Sequence, residues 1–315
     1  MASIRVLSAG MMTTVQDLGR FGYQRLGISP AGAMDSYSLR LANLLVGNPP
    51  SEACLEITLL GPRLEFTART VIALTGADLD PELNGQGIEM WATTPVEKGD
   101  VLSFRGARTG CRAYLACFGG FQIPPVLGSR STLTRATLGG LHGRPLRAGD
   151  EIPIPAVPGR ISSGRAPSSY RRQYRPCIVA RLILGPQDDC FPEETLGLLV
   201  SSGFVVSPDS DRMGLRLSGP RLKHRGSADI VSDAIVCGAV QVPGDGNPII
   251  MAADRPTTGG YPKIGAVITP DMDLLGQTKP GDEVRFTAVS LPQAHQIYRR
   301  YMEGFARFRL SAVSR

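Results

Sequence analysis

Between Asp254 and Tyr261 the chain sets a carboxylate, the hydroxyls of Thr257 and Thr258, and the pair Gly259-Gly260, which lets backbone N–H groups come close to a ligand. Such a set can hold an oxyanion. The same stretch also reads as a long hairpin turn with no ligand. A second polar cluster lies in residues 13–30, where Gln16, Asp17 and Arg20 bring a carboxamide, a carboxylate and a guanidinium into five residues among turn-forming glycines at 19, 22 and 27. A plain turn does not need that density, although an ion pair between Asp17 and Arg20 would account for it locally.

These clusters need elements to position them. Apolar residues 238–242 and 248–253 read as two extended segments joined by a turn, a hairpin that delivers the loop after Asp254. Residues 4–7 read as a strand. Asp35 reads as the N-cap of a helix carrying Tyr37, Leu41, Leu44 and Leu45 at helical spacing, with Gly47 as its stop. From residue 52 to 104, short apolar runs broken by glycine and proline predict successive antiparallel strands, followed by strands at 112–116, near 151–155, and at 177–184. A short helix is expected from Pro192, with Glu193 and Glu194 at its positive end. A longer one is expected from Pro292, capped by Ser290, with Ala294, Ile297, Tyr298, Tyr301, Met302 and Phe305 as its apolar stripe. Residues 305–310 read equally as a partner surface or a frayed end.

At 315 residues the chain can bury the core of two domains. No apolar run approaches the ~20 residues of a bilayer span, and the first residues lack a secretory apolar region, so the expectation is a cytoplasmic protein away from membranes. The six cysteines (54, 111, 117, 177, 190, 237) form no CxxC pair and read as buried free thiols. His142, His224 and His295 have no ligand spacing, so no metal is expected. The net charge of +6 is gathered in residues 160–181 and 298–315, a basic surface that is solvated or faces a partner, not a nucleic-acid site.

An internal repeat organises the whole. Ile57-Thr58-Leu59-Leu60-Gly61-Pro62-Arg63-Leu64 matches Leu215-Arg216-Leu217-Ser218-Gly219-Pro220-Arg221-Leu222. Each copy follows a Ser-Pro turn (Ser29-Pro30, Ser207-Pro208) and an Asp/Met cluster (Met34-Asp35, Asp211-Arg212-Met213). Strands introduced by Gly99-Asp100, Gly149-Asp150 and Gly281-Asp282 rhyme as well. The expectation is a mainly β protein of two related halves, 1–158 and 177–315, joined by a Pro/Ser/Gly/Arg-rich linker at 159–176, with few short helices and a C-terminal helix.

The stretches TVQDLGRFGYQRLGISPAGAMD, LEITLLGP, DRMGLRLSGP and GAVQVPGDGNPIIMAADRPTTGGYPKIGAVI resemble the family that contains allophanate hydrolase subunit 2, KipA and the C subunit of 5-oxoprolinase. The resemblance implies two cyclophilin-like β-barrel halves. It implies a separate partner, a KipI-like or allophanate hydrolase subunit 1 protein, and in the oxoprolinase case a LamB/YcsF-like protein too. The activities implied are ATP-dependent opening of 5-oxoproline to glutamate, or carboxyl transfer from carboxybiotin to an amide nitrogen in a urea carboxylase-type system. A KipA-like regulatory role is the third alternative. The chain has no G-x-x-x-x-G-K-[ST] loop and no biotin-attachment lysine, so ATP or biotin is expected on other chains, and this one is expected to be inactive alone.

By that resemblance Thr257, Thr258, Gly259 and Gly260 would stabilise the oxyanion, and Asp254 or Asp211 would orient the substrate N–H. Gln241 would contact substrate or biotin, Arg212 would join the binding set, and Tyr261 would form a wall. Gln16, Asp17, Arg20 and Asp35 match the family signature of the first half, as contacts to substrate or partner.

Overall fold

Period-two alternation of apolar residues becomes strand in both halves of the chain. The structure, a computed structural model, describes residues 2–155 and 164–313, the last five as helical backbone. Residues 156–163, which include the start of the expected linker, lie outside the described residues. Two compact units emerge: Met1–Arg20 with Ala31–Tyr174 and Phe305–Arg315, and Phe21–Pro30 with Arg175–Gly304. No described helix is long and apolar enough to cross a membrane.

The first unit contains β1 (Ser3–Ser8), β2 (Met12–Gln16), α1 (Ser36–Leu45), β3 (Cys54–Thr58), β4 (Arg63–Phe66), β5 (Thr70–Asp78), β6 (Pro81–Leu83), β7 (Gln86–Gly87), β8 (Thr93–Val96), β9 (Val101–Phe104), β10 (Thr109–Cys117) and β11 (Glu151–Pro153). Its strands form a six-stranded sheet, β11-β1-β4-β9-β6-β7, and a five-stranded sheet, β2-β3-β10-β5-β8. Ile4, Val6, Leu64, Phe66 and Leu102 from one sheet share a core with Leu55, Ile57, Ile72, Leu74 and Leu115 from the other. The alternate residues Cys54, Val71, Ala73, Tyr114 and Ala116 pack under Leu39 and Ala42 of α1 and Val46 just after it. Both faces of β3, β5 and β10 are thereby covered, which explains why these strands read as continuous apolar runs.

The second unit holds β12 (Cys177–Leu184), α2 (Glu193–Ser201), β13 (Gly203–Val206), β14 (Gly214–Ser218), β15 (Asp233–Ala234), β16 (Ala239–Gln241), β17 (Ile249–Met251), β18 (Thr258–Gly259), β19 (Lys263–Val267), α3 (Thr269–Leu275), β20 (Glu283–Ala288) and the start of α4 (Leu291–Val313). Seven strands close a barrel in the order β12-β19-β16-β17-β14-β13-β20, while β15 and β18 form a separate two-stranded ribbon. Ile178, Ala180, Leu182, Phe204, Leu215, Leu217, Val240, Ile250 and Phe286 fill its interior. A closed seven-strand barrel is therefore present in the second unit, and the first carries its strands as two sheets around a shared core.

The repeat has a physical basis in each unit. Glu97, Arg147 and Lys279 each accept, at their carbonyls, the N–H of the Asp three residues on (3.2, 3.1 and 3.1 Å), and each donates its own N–H to that Asp carboxylate (2.8, 2.7 and 3.0 Å). Gly99, Gly149 and Gly281 sit at φ of 92°, 89° and 91°, the third position of a type II turn. Gly61 and Gly219 match too: a Cβ on either would lie 2.3 or 2.6 Å from a phenylalanine ring, that of Phe104 or Phe204.

The expected helices are present. Asp35 caps α1 through Ser38 N–H at 2.9 Å. Ser290 and Gln293 cap α4 reciprocally, at 2.8 and 3.4 Å. Phe305 and Phe308 of α4 are buried, with ring centroids 5.4 Å from Tyr37 and 5.0 Å from Tyr170, so this end is a packed element rather than a frayed one. All six cysteines are free, but only Cys54, Cys111 and Cys117 are buried; Cys177 and Cys237 are exposed and Cys190 is half-buried, because Cys177 opens β12 and Cys190 and Cys237 lie in the segments before α2 and β16. Burial pushes the Cys117 thiol up to about 12.

Candidate ligand cleft in the second unit

Alternation in the barrel wall makes the floor of a cleft. Leu215 and Leu217 point inward on β14, Val240 does so on β16 and Ile250 on β17, which leaves Arg216, Ile249 and Gln241 on the outer face. Register places them in one row, Arg216 opposite Ile249 and Ile249 opposite Gln241. Three chain segments wall this row: 207–213 with Asp209, Asp211 and Met213; the turn 243–248 with Asp245 and Asn247; and 256–261 with Pro256, Gly259, Gly260 and Tyr261. The cleft volume is about 610 Å³, room for a small molecule.

Most polar groups at this cleft are held in place. Asp211 Oδ1 accepts from the N–H groups of Met213 and Gly214 at 2.8 and 3.2 Å. Asp245 accepts from Asn247 through its side chain and its backbone N–H, both at 3.0 Å, and these bonds hold its carboxyl below the usual carboxylate range. Gln241 is only 3% exposed and its amide Nε2 donates to the Tyr261 carbonyl at 3.3 Å. A Cβ on Gly259 would fall 2.7 Å from Gln241 Nε2 and 2.6 Å from Ile235 Cδ1. The glycine is needed for that side-chain approach, and its backbone belongs to the β15–β18 ladder.

Of the expected site residues, Asp211, Gln241, Gly259, Gly260 and Tyr261 line this cleft. Asp254, Arg212, Thr257 and Thr258 do not. Asp254 is buried and both its oxygens are taken by Arg212, Nε to Oδ2 and Nη2 to Oδ1, each at 2.9 Å. Thr257 accepts from Ile235 N–H at 3.0 Å and Thr258 pairs with Ala234, so this stretch is spent on the ribbon. The ribbon is in turn fixed to the barrel, since Lys263, itself buried, donates its ammonium to Asp233 at 2.8 Å. That bond lowers the Asp233 pKa.

The first-half signature residues are built into the interior of their own unit. Asp17 Oδ1 accepts from Gly19 N–H (2.8 Å) and from the hydroxyls of Ser129 and Ser131 (both 2.6 Å), and Oδ2 accepts from Arg130 N–H (2.6 Å). Arg20, 1% exposed, donates to the Ser131 carbonyl, so Asp17 and Arg20 meet on Ser131. Gln16 donates to Thr14 and to the Thr132 carbonyl at 3.0 and 3.1 Å. Asp35, beyond capping α1, accepts from Ser38 Oγ (2.6 Å) and donates its N–H to Tyr114 (2.7 Å). Burial and the nearby Glu56 and Asp35 carboxylates raise the Tyr114 pKa well above its ordinary value.

Arg216, Asp209, Asp245 and Asn247 are cleft residues that reading the sequence passed over. The alternation in Leu215-Arg216-Leu217 was the available signal for Arg216, since a strand with two inward leucines must turn the residue between them outward. No group of three or more metal-ligating side chains occurs among the described residues.

Residues 26–288 match the family model of the carboxyltransferase domain, subdomain A and B. The chain is 38% identical over 306 residues to the C subunit of 5-oxoprolinase from Escherichia coli, covering 96% of this chain and 97% of that one. It is 37% identical to the corresponding 5-oxoprolinase protein of Haemophilus influenzae, covering 94% of each. The crystal structure of Kluyveromyces lactis urea carboxylase superposes with a TM-score of 0.91 at 34% identity, over 97% of this chain and 29% of that one.

Proposed function

Because the chain belongs to the family of carboxyltransferase domains with subdomains A and B, we propose that it is one part of a multi-chain, ATP-dependent amidohydrolase, the C subunit of a 5-oxoprolinase. The observation that carries this reading is the cleft in which Gln241, Asp211 and the Gly259–Tyr261 wall converge on one small volume. A lactam offers a ring N–H and a carbonyl oxygen. Gln241 and Asp211 together supply the acceptors and the amide donor that such a ring needs for orientation. Opening the ring adds the oxygen of water to the carbonyl carbon and breaks the C–N bond, with the ring nitrogen leaving as the amine of glutamate.

In this reading Asp254 is a positioning residue, acting through Arg212 on the segment that carries Asp211. ATP is bound by a partner and supplies the activation an amide carbonyl requires. The partners are a KipI-like and a LamB/YcsF-like protein in the cytoplasm, and this chain alone is inactive. The similarity to urea carboxylase favours carboxyl transfer as the second reading, since Gln241 also matches a ureido ring. Biotin bound there on its carrier would supply an activated carboxyl group.

The test is co-expression with those two partners and an assay of ATP-dependent glutamate release from 5-oxoproline, with Gln241→Ala alongside. Release that needs all three chains and drops in the variant supports the reading. A stable assembly with no release, but with transfer of carboxyl from carboxybiotin, supports the second.

A further inference from the structure

We propose that Arg216 selects the ligand of this cleft, and that it selects a small cyclic amide bearing a carboxylate; the inference rests on the lactam reading above. Arg216 is the one cation among the described residues that line the cleft. Its guanidinium makes no ion pair with any described side chain, whereas Arg212, at the end of the same strand pair, is paired with Asp254. The backbone of Arg216 is fixed: its N–H donates to Ser210 Oγ at 3.0 Å, and its carbonyl accepts from Ser207 N–H at 2.8 Å. The base of the side chain is therefore held while its charged end remains available.

Placement gives the selection its geometry. Arg216 and Gln241 stand two strands apart in one row, roughly 10 Å between backbones at the usual inter-strand spacing, with Ile249 between them. A ligand laid along the row meets a guanidinium at one end, an apolar middle bordered by Met213 and Met251, and an amide at the other. 5-Oxoproline bears its carboxylate on the ring carbon bonded to the lactam nitrogen, so a ring whose carboxylate faces Arg216 can turn its lactam carbonyl toward Gln241 and its methylenes toward the apolar middle. Urea has no carboxylate to give, and the ureido ring of carrier-linked biotin has none until it is carboxylated.

The other charges in the cleft limit where an anion can sit. Asp209, Asp211 and Asp245 make its lining net negative, which opposes an anion overall and confines a docked carboxylate to the neighbourhood of Arg216. Asp211 and Asp245 are tied by hydrogen bonds within their own turns and do not neutralise Arg216. A carboxylate docked there receives a charge-assisted contact of bidentate form.

The experiment measures affinity for L-5-oxoproline and for 2-pyrrolidinone, the same ring without the carboxylate, by calorimetry on the assembled complex of all three chains. Wild type should prefer 5-oxoproline by about tenfold or more, the worth of one charge-assisted contact. Arg216→Gln should abolish that preference while leaving 2-pyrrolidinone affinity unchanged, and Arg216→Lys should restore part of it. Arg216 is exposed, so the variants should fold, which circular dichroism would verify. An undiminished preference in Arg216→Gln overturns the assignment and leaves the lactam reading standing. Failure of the wild-type complex to bind either lactam sinks the lactam reading, and the assignment with it.

Discussion

Arg212 and Asp254 are locked to each other twice over. Their side chains form a two-point ion pair at 2.9 Å, and Asp254 N–H donates to the Arg212 carbonyl at 2.8 Å. Arg212 lies just before β14 and Asp254 just after β17, strands that pair with Gly214 opposite Met251. The clamp therefore closes the end of the strand pair whose other residues, Arg216 and Ile249, floor the cleft.

Removing the Asp254 carboxylate should strip the buried Arg212 guanidinium of this two-point pair. Asp254→Ala is expected to cost about 3–5 kcal/mol of stability, whereas replacing both residues by apolar ones of similar volume should cost far less. Urea denaturation of Asp254→Ala, Arg212→Met and the double variant checks this; equal losses in single and double variants would contradict it.

Gly259→Ala should separate stability from binding. The added methyl would meet the tips of Gln241 and Ile235, which are flexible enough to move, so the fold should survive with a loss of only about 1–3 kcal/mol. Displacing the Gln241 amide should weaken ligand binding more than tenfold, as an unmade hydrogen bond at the amide end would. Paired melting and calorimetry measurements on the variant decide the matter.

The three type II turns make an engineering prediction. Pro280 occupies the second position of its turn, and Ala148 holds the equivalent position in another. Ala148→Pro should stabilise the protein by about 0.4–1 kcal/mol, by restricting the unfolded chain. Gly149→Ala, at φ 89°, should destabilise it by roughly 1–2 kcal/mol. Melting temperatures that move in the same direction for both variants would refute the turn assignment.

Acid sensitivity has an identifiable contributor in Asp150. The Arg144 guanidinium bonds both of its oxygens at 2.8 Å and, with Arg147 N–H, holds its carboxyl below the usual range. A carboxyl with a depressed folded pKa adds stability above its unfolded pKa, about 3.9, and loses it as pH falls through the folded value. The stability gap between wild type and Asp150→Asn should be constant above about pH 5 and shrink below about pH 4. Denaturation midpoints from about pH 2 to 7 test it.

What the sequence determined by itself was local or periodic. Glycine in the Gly-Asp turns, Asp35 as a cap and the Ser290–Gln293 pair act through the backbone within three residues, so their chemistry is readable in place. Alternation located the strands, and the long ordered motifs located the family. Tertiary structure decided which polar residues face a ligand. Asp254 turned away from the cleft because Arg212, 42 positions earlier, took both its oxygens; Asp17 was captured by Ser131, 114 positions later. Arg216 and Gln241 came to share the floor of one cleft only through the pairing of β14 with β17 and of β17 with β16. Register is a property of the closed barrel, and a one-residue slip would turn both side chains inward, so no local pattern could place them together.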